Sequence, residues 1–375
     1  MIMQQCFKNY KMTIRAVSPI FIGSGEEIGK KEYIYMPWNH RVIIPDIYTM
    51  YDDLRKRGLS DEYEKFMMDS RNNQMSLSNW LAQKQFRQQD YERWAKYELD
   101  AGEAFQDRNS RPKGISAFVK DAYGMPYVPG SSIKGMIRTA LLIKEITEKP
   151  EKYRMNREQF KRGSGEKMGR NNYLKHEITE LEKDTFYCLQ RDDKKSNNAV
   201  NDCMAGISVG DSYPVSAECL TLSQKIDVTL EGKRKSLPIL RETLVPGTEI
   251  HFDLKIDSSL CAYTIEDILD AMLVFRDLSN QYFYSRFRRN IEEENAVFLG
   301  GGCGYVSKTV MYAMFGKDAV WLIDRIFQAT LGRNYSDHKH GRDIDLQIAP
   351  HVCKCTVYQG KLYDMGIGQI FYEQV

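Results

Sequence analysis

The chain has 375 residues, of which 42% are hydrophobic and 28% charged, and its 53 Lys and Arg face 51 Asp and Glu for a formal net charge of +2. This apolar fraction excludes wholesale disorder, and no run approaches the 18 or so consecutive apolar residues that a membrane helix needs. Because the net charge is near zero, any contact with nucleic acid must come from local basic clusters. No secretory signal opens the sequence, so we expect a cytoplasmic protein with no membrane partner.

The first 58 residues predict strands, a hairpin and one helix. Apolar residues between 14 and 22 favour a strand that the glycines of 23–25 end, and the runs 33–35 and 42–44 flank a turn. Apolar residues then recur at helical spacing from residue 46, and Gly58 ends that helix.

Two segments differ from their surroundings and predict insertions. Residues 59–112 are polar with interspersed aromatic residues, which indicates a helical insertion. Residues 149–200 open with the strongest charge run of the chain, nine Lys or Arg against three Glu within 149–175. This basic insertion would either bind RNA by releasing counterions or form a solvated surface, and the sequence leaves both interpretations open.

Outside the insertions, strands and helices alternate. Residues 115–130 have strand character and lead into a helix, and residues 264–289 carry an apolar stripe at helical spacing. Further strands are predicted near 207–209, 226–230, 249–256, 351–358 and 361–371. The pattern predicts an α+β fold.

The segment PGSSIKGMIRTALL at 129–142 is the most specific candidate site. Free backbone N–H groups at a helix N-terminus attract anions, and Lys134 and Arg138 add positive charge on one side. A phosphate or an RNA backbone is the favoured ligand, and a capped helix with a solvated basic face is the alternative. The candidate contacts are Gly130, Ser131, Ser132, Lys134 and Arg138.

Two more glycine loops are candidates. Four glycines within 300–304 permit positive φ angles and close backbone approach. With Lys308 this loop is similar to a phosphate-binding P-loop, but Ser307 stands where that motif requires Gly, so a nucleotide-binding module at 302–309 is a weaker alternative. The candidate contacts are Gly300, Gly301, Gly302, Gly304 and Lys308, together with Gly23, Ser24 and Gly25, for which a tight turn is the alternative.

Metal-ligating side chains cluster twice near the C-terminus. Alternation along a strand would place His351, Cys353 and Cys355 on one face. The preceding loop carries Asp337, His338, His340, Asp343 and Asp345. A metal-dependent ribonuclease acting on RNA is therefore an alternative function. Buried reduced thiols and a solvated loop are favoured, because the eight cysteines contain no CxxC, and we expect neither a metal nor another cofactor.

The three glycine motifs together resemble the RAMP superfamily of CRISPR proteins. The resemblance is carried by FIGSGEE (21–27), YVPGSSIKGMIRTALL (127–142) and FLGGGCGYVSKTV (298–310), which look like the subunit that caps the 3′ side of the type III-A (Csm) effector complex. It implies two fused ferredoxin-like, RRM-type domains with helical insertions, one at 1–205 and one at 206–375.

The same resemblance implies an RNA-binding structural subunit that contacts the 3′ region of the CRISPR RNA (crRNA) and packs against the last backbone subunit of the filament. Its other implied partners are the small helical subunit, host nucleases recruited for crRNA maturation and, indirectly, the target RNA. RNA-cleaving subunits of the superfamily use an Asp in the loop after the first strand, whereas this loop offers Glu26, Glu27 and Glu32. We therefore expect no intrinsic nuclease activity.

Overall fold

The computed structural model describes residues 6–69, 75–105, 113–166, 169–191 and 198–375, and has a mixed α+β architecture. The strands are β1 (Phe7–Ala16), β2 (Gly23–Ile28), β3 (Ile34–Met36), β4 (Arg41–Pro45), β5 (Ala95–Asp100), β6 (Ile115–Phe118), β7 (Ile207–Val209), β8 (Leu220–Thr229), β9 (Arg234–Leu244), β10 (Glu249–Asp257), β11 (Ala296–Phe298), β12 (Val352–Tyr358), β13 (Lys361–Asp364) and β14 (Ile367–Gln374). The helices are α1 (Ile47–Lys56), α2 (Ser60–Met68), α3 (Leu77–Gln83), α4 (Gln88–Trp94), α5 (Gly130–Glu148), α6 (Arg154–Gly163), α7 (Lys175–Phe186), α8 (Ile265–Tyr282), α9 (Met311–Phe315), α10 (Ala319–Leu331), α11 (Arg333–Asp337) and α12 (Asp343–Leu346).

The first sheet has five antiparallel strands in the order β11-β14-β1-β10-β7. Its central strand, β1, alternates strictly: Tyr10, Met12 and Ile14 are buried, whereas Lys11 and Arg15 are exposed. This period of two is typical of a strand with one face on the core and the other on solvent. The buried face lies under α5 and α8, which also contact each other.

The second sheet has nine strands, in the order β2-β6-β9-β8-β5-β4-β3 with β12 pairing β8 and β13 pairing β12. The segment between β1 of the first sheet and β2 of the second contacts both ends of this arrangement: Ile20 bridges Leu244 of β9, and the amide of Gly366, just before β14, donates to the Pro19 carbonyl at 2.9 Å. One large hydrophobic cluster extends through both sheets and α5, α8 and α10.

Helices α1 to α4 form a small layer with a separate core. Asp46 caps α1 by accepting from the Thr49 amide at 2.8 Å, and α1 ends just before Gly58, as its spacing predicts. Tyr63, Trp80 and Trp94 are buried in this second hydrophobic cluster. The insertion predicted at 59–112 is therefore helical through residue 94, but it also contains β5, which the sequence analysis missed; residues 70–74 and 106–112 lie outside the described residues.

The basic insertion predicted at 149–200 packs onto the main core. Tyr153, Phe160 and Phe186 of the α6–α7 region are almost fully buried, while the Lys and Arg side chains of α6 are mostly exposed. Residues 167–168 and 192–197 of this insertion lie outside the described part of the chain. The apolar residues explain the docking, and the charge run forms the outer surface of α6.

The first sheet contains strands from both sides of the predicted division at residue 205, because β1 pairs with β10 and β14. The ranges 1–205 and 206–375 thus remain a prediction about domains, whereas the mixed α+β class is what the structure has. Among the described helices, none combines the length and the apolar character that crossing a bilayer demands.

Candidate nucleic-acid interface

The direction of three strands brings the predicted glycine loops to one edge of the first sheet. β1, β7 and β11 run the same way, because each pairs antiparallel with β10 or β14. Phe21 follows β1, Gly300 follows β11, and Gly210 after β7 lies against Gly130 at the start of α5. The loops are far apart in sequence but adjacent at the carboxyl ends of these strands.

The loops enclose a cleft of about 510 Å³ at this edge. It is lined by the predicted residues Gly23, Ser132, Gly300, Gly301 and Lys308, and also by Ile22, Gly135, Met136, Thr139, Phe298 and Ser307. The other predicted residues, which do not line the cleft, are Ser24, Gly25, Gly130, Ser131, Lys134, Arg138, Gly302 and Gly304. The structure thus brings together one part of each predicted motif.

Backbone contact explains the glycines at 300 and 301. Gly300 has φ +82°, and a Cβ atom there would lie 2.2 Å from the Phe21 carbonyl oxygen. The amide of Gly301 donates to the same oxygen at 2.7 Å. These glycines therefore allow two chain segments to touch, and the Gly301 amide is already used within the protein instead of being open to a phosphate.

The N-terminus of α5 is also occupied by the chain itself. The amide of Gly130 donates to Asp211 Oδ1 at 2.7 Å, and a Cβ atom at Gly130 would lie 2.4 Å from the Val209 carbonyl oxygen. Asp211 supplies the negative charge that a helix N-terminus favours. Ser132, in the first turn of α5, lines the cleft beyond this contact.

Arg138 and Lys134 differ in their surroundings. Arg138 pairs with Asp202 at 2.7 Å and Glu182 at 3.1 Å, and its guanidinium stacks 4.2 Å from the centre of the Phe186 ring. This side chain fastens α7 to α5. Lys134 is half-buried, and burial lowers the pKa of its ammonium group.

Positive charge near the 300–304 glycine loop comes partly from residues that the sequence analysis missed. Lys308 is exposed on the cleft, and Arg241 of β9 reaches the glycine loop, where its Nη1 would lie 3.2 Å from a Cβ atom at Gly302. Lys225 of β8 and Lys354 of β12 lie next to Arg241 closely enough to influence one another electrostatically. These residues come from three strands of the second sheet, so no local motif could have indicated them.

Two of these cations lack a charged partner. Within the described part of the chain, neither Lys225 nor Arg241 has a carboxylate at salt-bridge distance, whereas Lys354 pairs with Asp227 at 2.8 Å. Burial lowers the pKa of Arg241. Burial, and to a smaller extent the positive charge of Lys354, lowers the pKa of Lys225. A half-buried cation without a counter-ion has lost hydration, and an anion bound nearby would offset that loss.

In the other candidate sites, the structure differs from the arrangement that the sequence predicted. Residues 306–308 form a single 3₁₀ turn, and α9 after it has only five residues, so 302–309 lacks the long helix of a P-loop. Cys353 and Cys355 lie against Asp364 in β13, whereas His351 contacts Asp343 and so joins the other ligand-rich stretch. Asp364 carried no signal in the sequence analysis.

Known proteins share both the sequence pattern and the fold of this chain. The family model described as the RAMP superfamily matches residues 13–302. The chain belongs to the RAMP superfamily. A Mycobacterium tuberculosis (strain H37Rv) relative, called CRISPR system Cms protein Csm5, is 30% identical to it over 391 residues that cover 97% of each chain. The Csm5 protein of Streptococcus thermophilus is 26% identical over 318 residues, 82% of each chain.

Solved structures of this superfamily share the fold at low sequence identity. A chain in the cryo-EM structure of a type III-A Csm–crRNA–target RNA ternary complex has a TM-score of 0.57 and 17% identity, and the match covers 97% of this chain and 100% of that one. The crystal structure of T. onnurineus Csm5 has a TM-score of 0.60 and 17% identity, with 95% and 99% covered. The family model and the Csm5 relatives confirm the resemblance to the RAMP superfamily, and these structures show that the fold is shared.

The contact at Phe21 predicts a difference between two glycine-to-alanine variants. Gly300 and Gly25 have similar positive φ angles, +82° and +90°, but nothing lies within 4 Å of a Cβ atom at Gly25. Both variants should incur backbone strain of about 1–2 kcal/mol. Gly300→Ala should lower the thermal unfolding midpoint further, because the new methyl group also displaces Phe21. Equal midpoints for the two variants would contradict this account of the loop.

Proposed function

We propose that this chain is an RNA-binding structural subunit of a type III-A CRISPR effector complex, at the 3′ side of the crRNA. The observation that carries the proposal is the cleft where the three glycine motifs meet, which Lys308 lines, with Arg241 next to Gly302 of the adjoining glycine loop. The full-length relation to Csm5 proteins and the shared fold with a chain of a Csm–crRNA–target RNA complex support it.

The cleft would bind RNA mainly through charge. Its cations are suited to phosphate oxygens, and the hydroxyl groups of Ser132 and Ser307 line the cleft as further hydrogen-bonding groups. No base-reading pattern is required, which suits a guide RNA of variable sequence. Arg138 and Gly130 remain predicted RNA contacts, but their interactions with Asp202, Glu182 and Asp211 favour a supporting role behind the cleft.

The partners follow from the same proposal. The chain would pack against the last backbone RAMP subunit, adjoin the small helical subunit and meet target RNA only indirectly. It would assist crRNA maturation by positioning host nucleases, in the cytoplasm. The relation to Csm5 proteins is the support for these assignments.

The domain architecture also belongs to the proposal. Four strands of the first sheet and two helices follow one another along the chain as strand, helix, strand, strand, helix, strand; these are β1, α5, β7, β10, α8 and β14. Within the sheet, the four strands lie in the order β14-β1-β10-β7. This is the pattern of a ferredoxin-like unit. The second such unit would then be built around the nine-stranded sheet, with a boundary that the chain crosses more than once.

Removing one cleft lysine should change the salt dependence of RNA binding. For Lys308→Ala, the slope of log K against log salt concentration should become shallower by roughly 0.7 for each phosphate of single-stranded RNA that the side chain would otherwise neutralise. Filter binding of the purified full chain to a single-stranded crRNA 3′ fragment measures this slope. Lys317→Ala, an exposed lysine outside the cleft lining, is the control and should keep the wild-type slope. An unchanged slope for Lys308→Ala would remove this cation from the RNA site.

The competing function, a metal-dependent ribonuclease, is tested by incubating the chain with RNA with and without EDTA. We expect intact RNA in both samples, because Asp343 and His340 are buried away from solvent. Cleavage that EDTA stops and that His338→Ala abolishes would replace the structural assignment with an enzymatic one.

A further inference from the structure

A cluster of two imidazoles and one carboxylate lies where α12 meets the start of β12. His340 Nδ1 is 3.0 Å from Asp343 Oδ2, and His351 Nδ1 contacts the other oxygen, Oδ1, of the same carboxylate. His340 is 6% exposed, Asp343 0% and His351 8%, so solvent hardly reaches the cluster. One donor atom from each of the three side chains lies within 4.8 Å of the other two.

We propose that His340, Asp343 and His351 form a zinc site. Two imidazole nitrogens and one carboxylate oxygen are ligands that Zn²⁺ prefers. In tetrahedral coordination with bonds of about 2.0–2.1 Å, neighbouring ligand atoms are separated by roughly 3.3 Å, close to the separation of His340 Nδ1 and Asp343 Oδ2. The fourth position is left for a water molecule.

The charge of the cluster supports a bound cation. Asp343 is fully buried, and within the described residues no Lys or Arg lies at salt-bridge distance from it. The other fully buried carboxylate, Glu242, has Lys120 as its partner. The partners of Asp343 are two imidazoles, which carry a positive charge only when protonated, so this environment favours a cation between the three side chains.

A second buried carboxylate adds to the same environment. Asp324 is 3% exposed and accepts from the Tyr335 hydroxyl at 2.7 Å and from Gln328 at 2.9 Å. It too has no cation partner among the described residues. The Tyr335 ring lies 6.1 Å from the His340 ring, so Asp324, which contacts Tyr335, adds a second buried carboxylate near the cluster.

The neighbouring thiol cluster contrasts with this one. Cys353 and Cys355 contact Asp364, but Arg289 Nε lies 2.9 and 2.8 Å from the two oxygens of that carboxylate. The guanidinium already balances the Asp364 charge, and it would repel a metal cation. The histidine cluster is therefore the site that the charges favour.

The zinc ion would brace one wall of the RNA cleft. It would tie the short helices α11 and α12 to β12, and Phe327 packs between His340, at 4.5 Å, and Tyr305, at 5.0 Å between ring centres. Tyr305 directly follows the 300–304 glycine loop. Because all three ligands are buried, the ion would stabilise the fold instead of presenting its water molecule to a substrate.

The test begins with metal content. The untagged full chain, produced in zinc-supplemented medium and dialysed without chelator, should contain about one zinc per chain by elemental analysis. His340→Gln and His351→Gln should lose it, whereas the matched control His338→Gln, an exposed neighbour outside the cluster, should retain it. Retention of zinc by both cluster variants would overturn the assignment, as would wild-type protein without metal.

A second measurement needs no variant and so does not depend on their folding. Wild-type chain reconstituted with Co²⁺ should show the visible absorption of tetrahedral cobalt without the intense ultraviolet band of a cobalt–thiolate bond. A thiolate band would move the site to Cys353 and Cys355. Absence of any absorption from bound cobalt would indicate that hydrogen bonds alone hold the three side chains together, and it would refute the zinc site.

Discussion

The shared direction of β1, β7 and β11 is the constraint on which the candidate site depends. These strands end at one edge of the first sheet, so the segments that follow them must meet there. The contact of the Phe21 carbonyl with Gly300 and Gly301 then fixes how closely two of the segments approach. The chain brings residues nearly 280 positions apart into one cleft by this means, and only glycine fits at the point of closest approach.

Several charged side chains near the candidate site form contacts within the chain that stabilise the fold. Asp211 occupies the N-terminus of α5, and Asp202 with Glu182 hold Arg138. In the sequence, Arg138 looks like a ligand-binding residue because it is a cation in a helix that begins at a glycine. Lys225 and Arg241, which form no salt bridge among the described residues, lie instead on strands of the second sheet, and Arg241 reaches Gly302 of the glycine loop. The basic residues around the glycine loops thus include some that stabilise the fold and others that the proposed RNA site would use.

Local patterns predicted local structure well. The spacing after Asp46 and the stripe from Ile265 correspond to α1 and α8, and all three glycine loops contribute to one cleft. Long-range strand pairing could not be predicted, because the sequence of a strand such as β5 does not specify which other strand it pairs with. Arg241 was missed for the same reason: a cation in a strand indicates a site only once the fold places it beside Gly302. His351 was grouped with Cys353 by alternation, but the strand begins after it and its ring turns to Asp343.

The central claim is that RNA runs through the cleft and not across the open face of the first sheet. Ultraviolet crosslinking of the assembled complex to its crRNA, followed by mass spectrometry of this subunit, tests it most directly. We expect crosslinked peptides from the 298–308 loop and from the first turns of α5, both of which line the cleft. Crosslinks confined to the exposed residues of β1, β10 and β14, such as Phe7 and Phe371, would contradict the account.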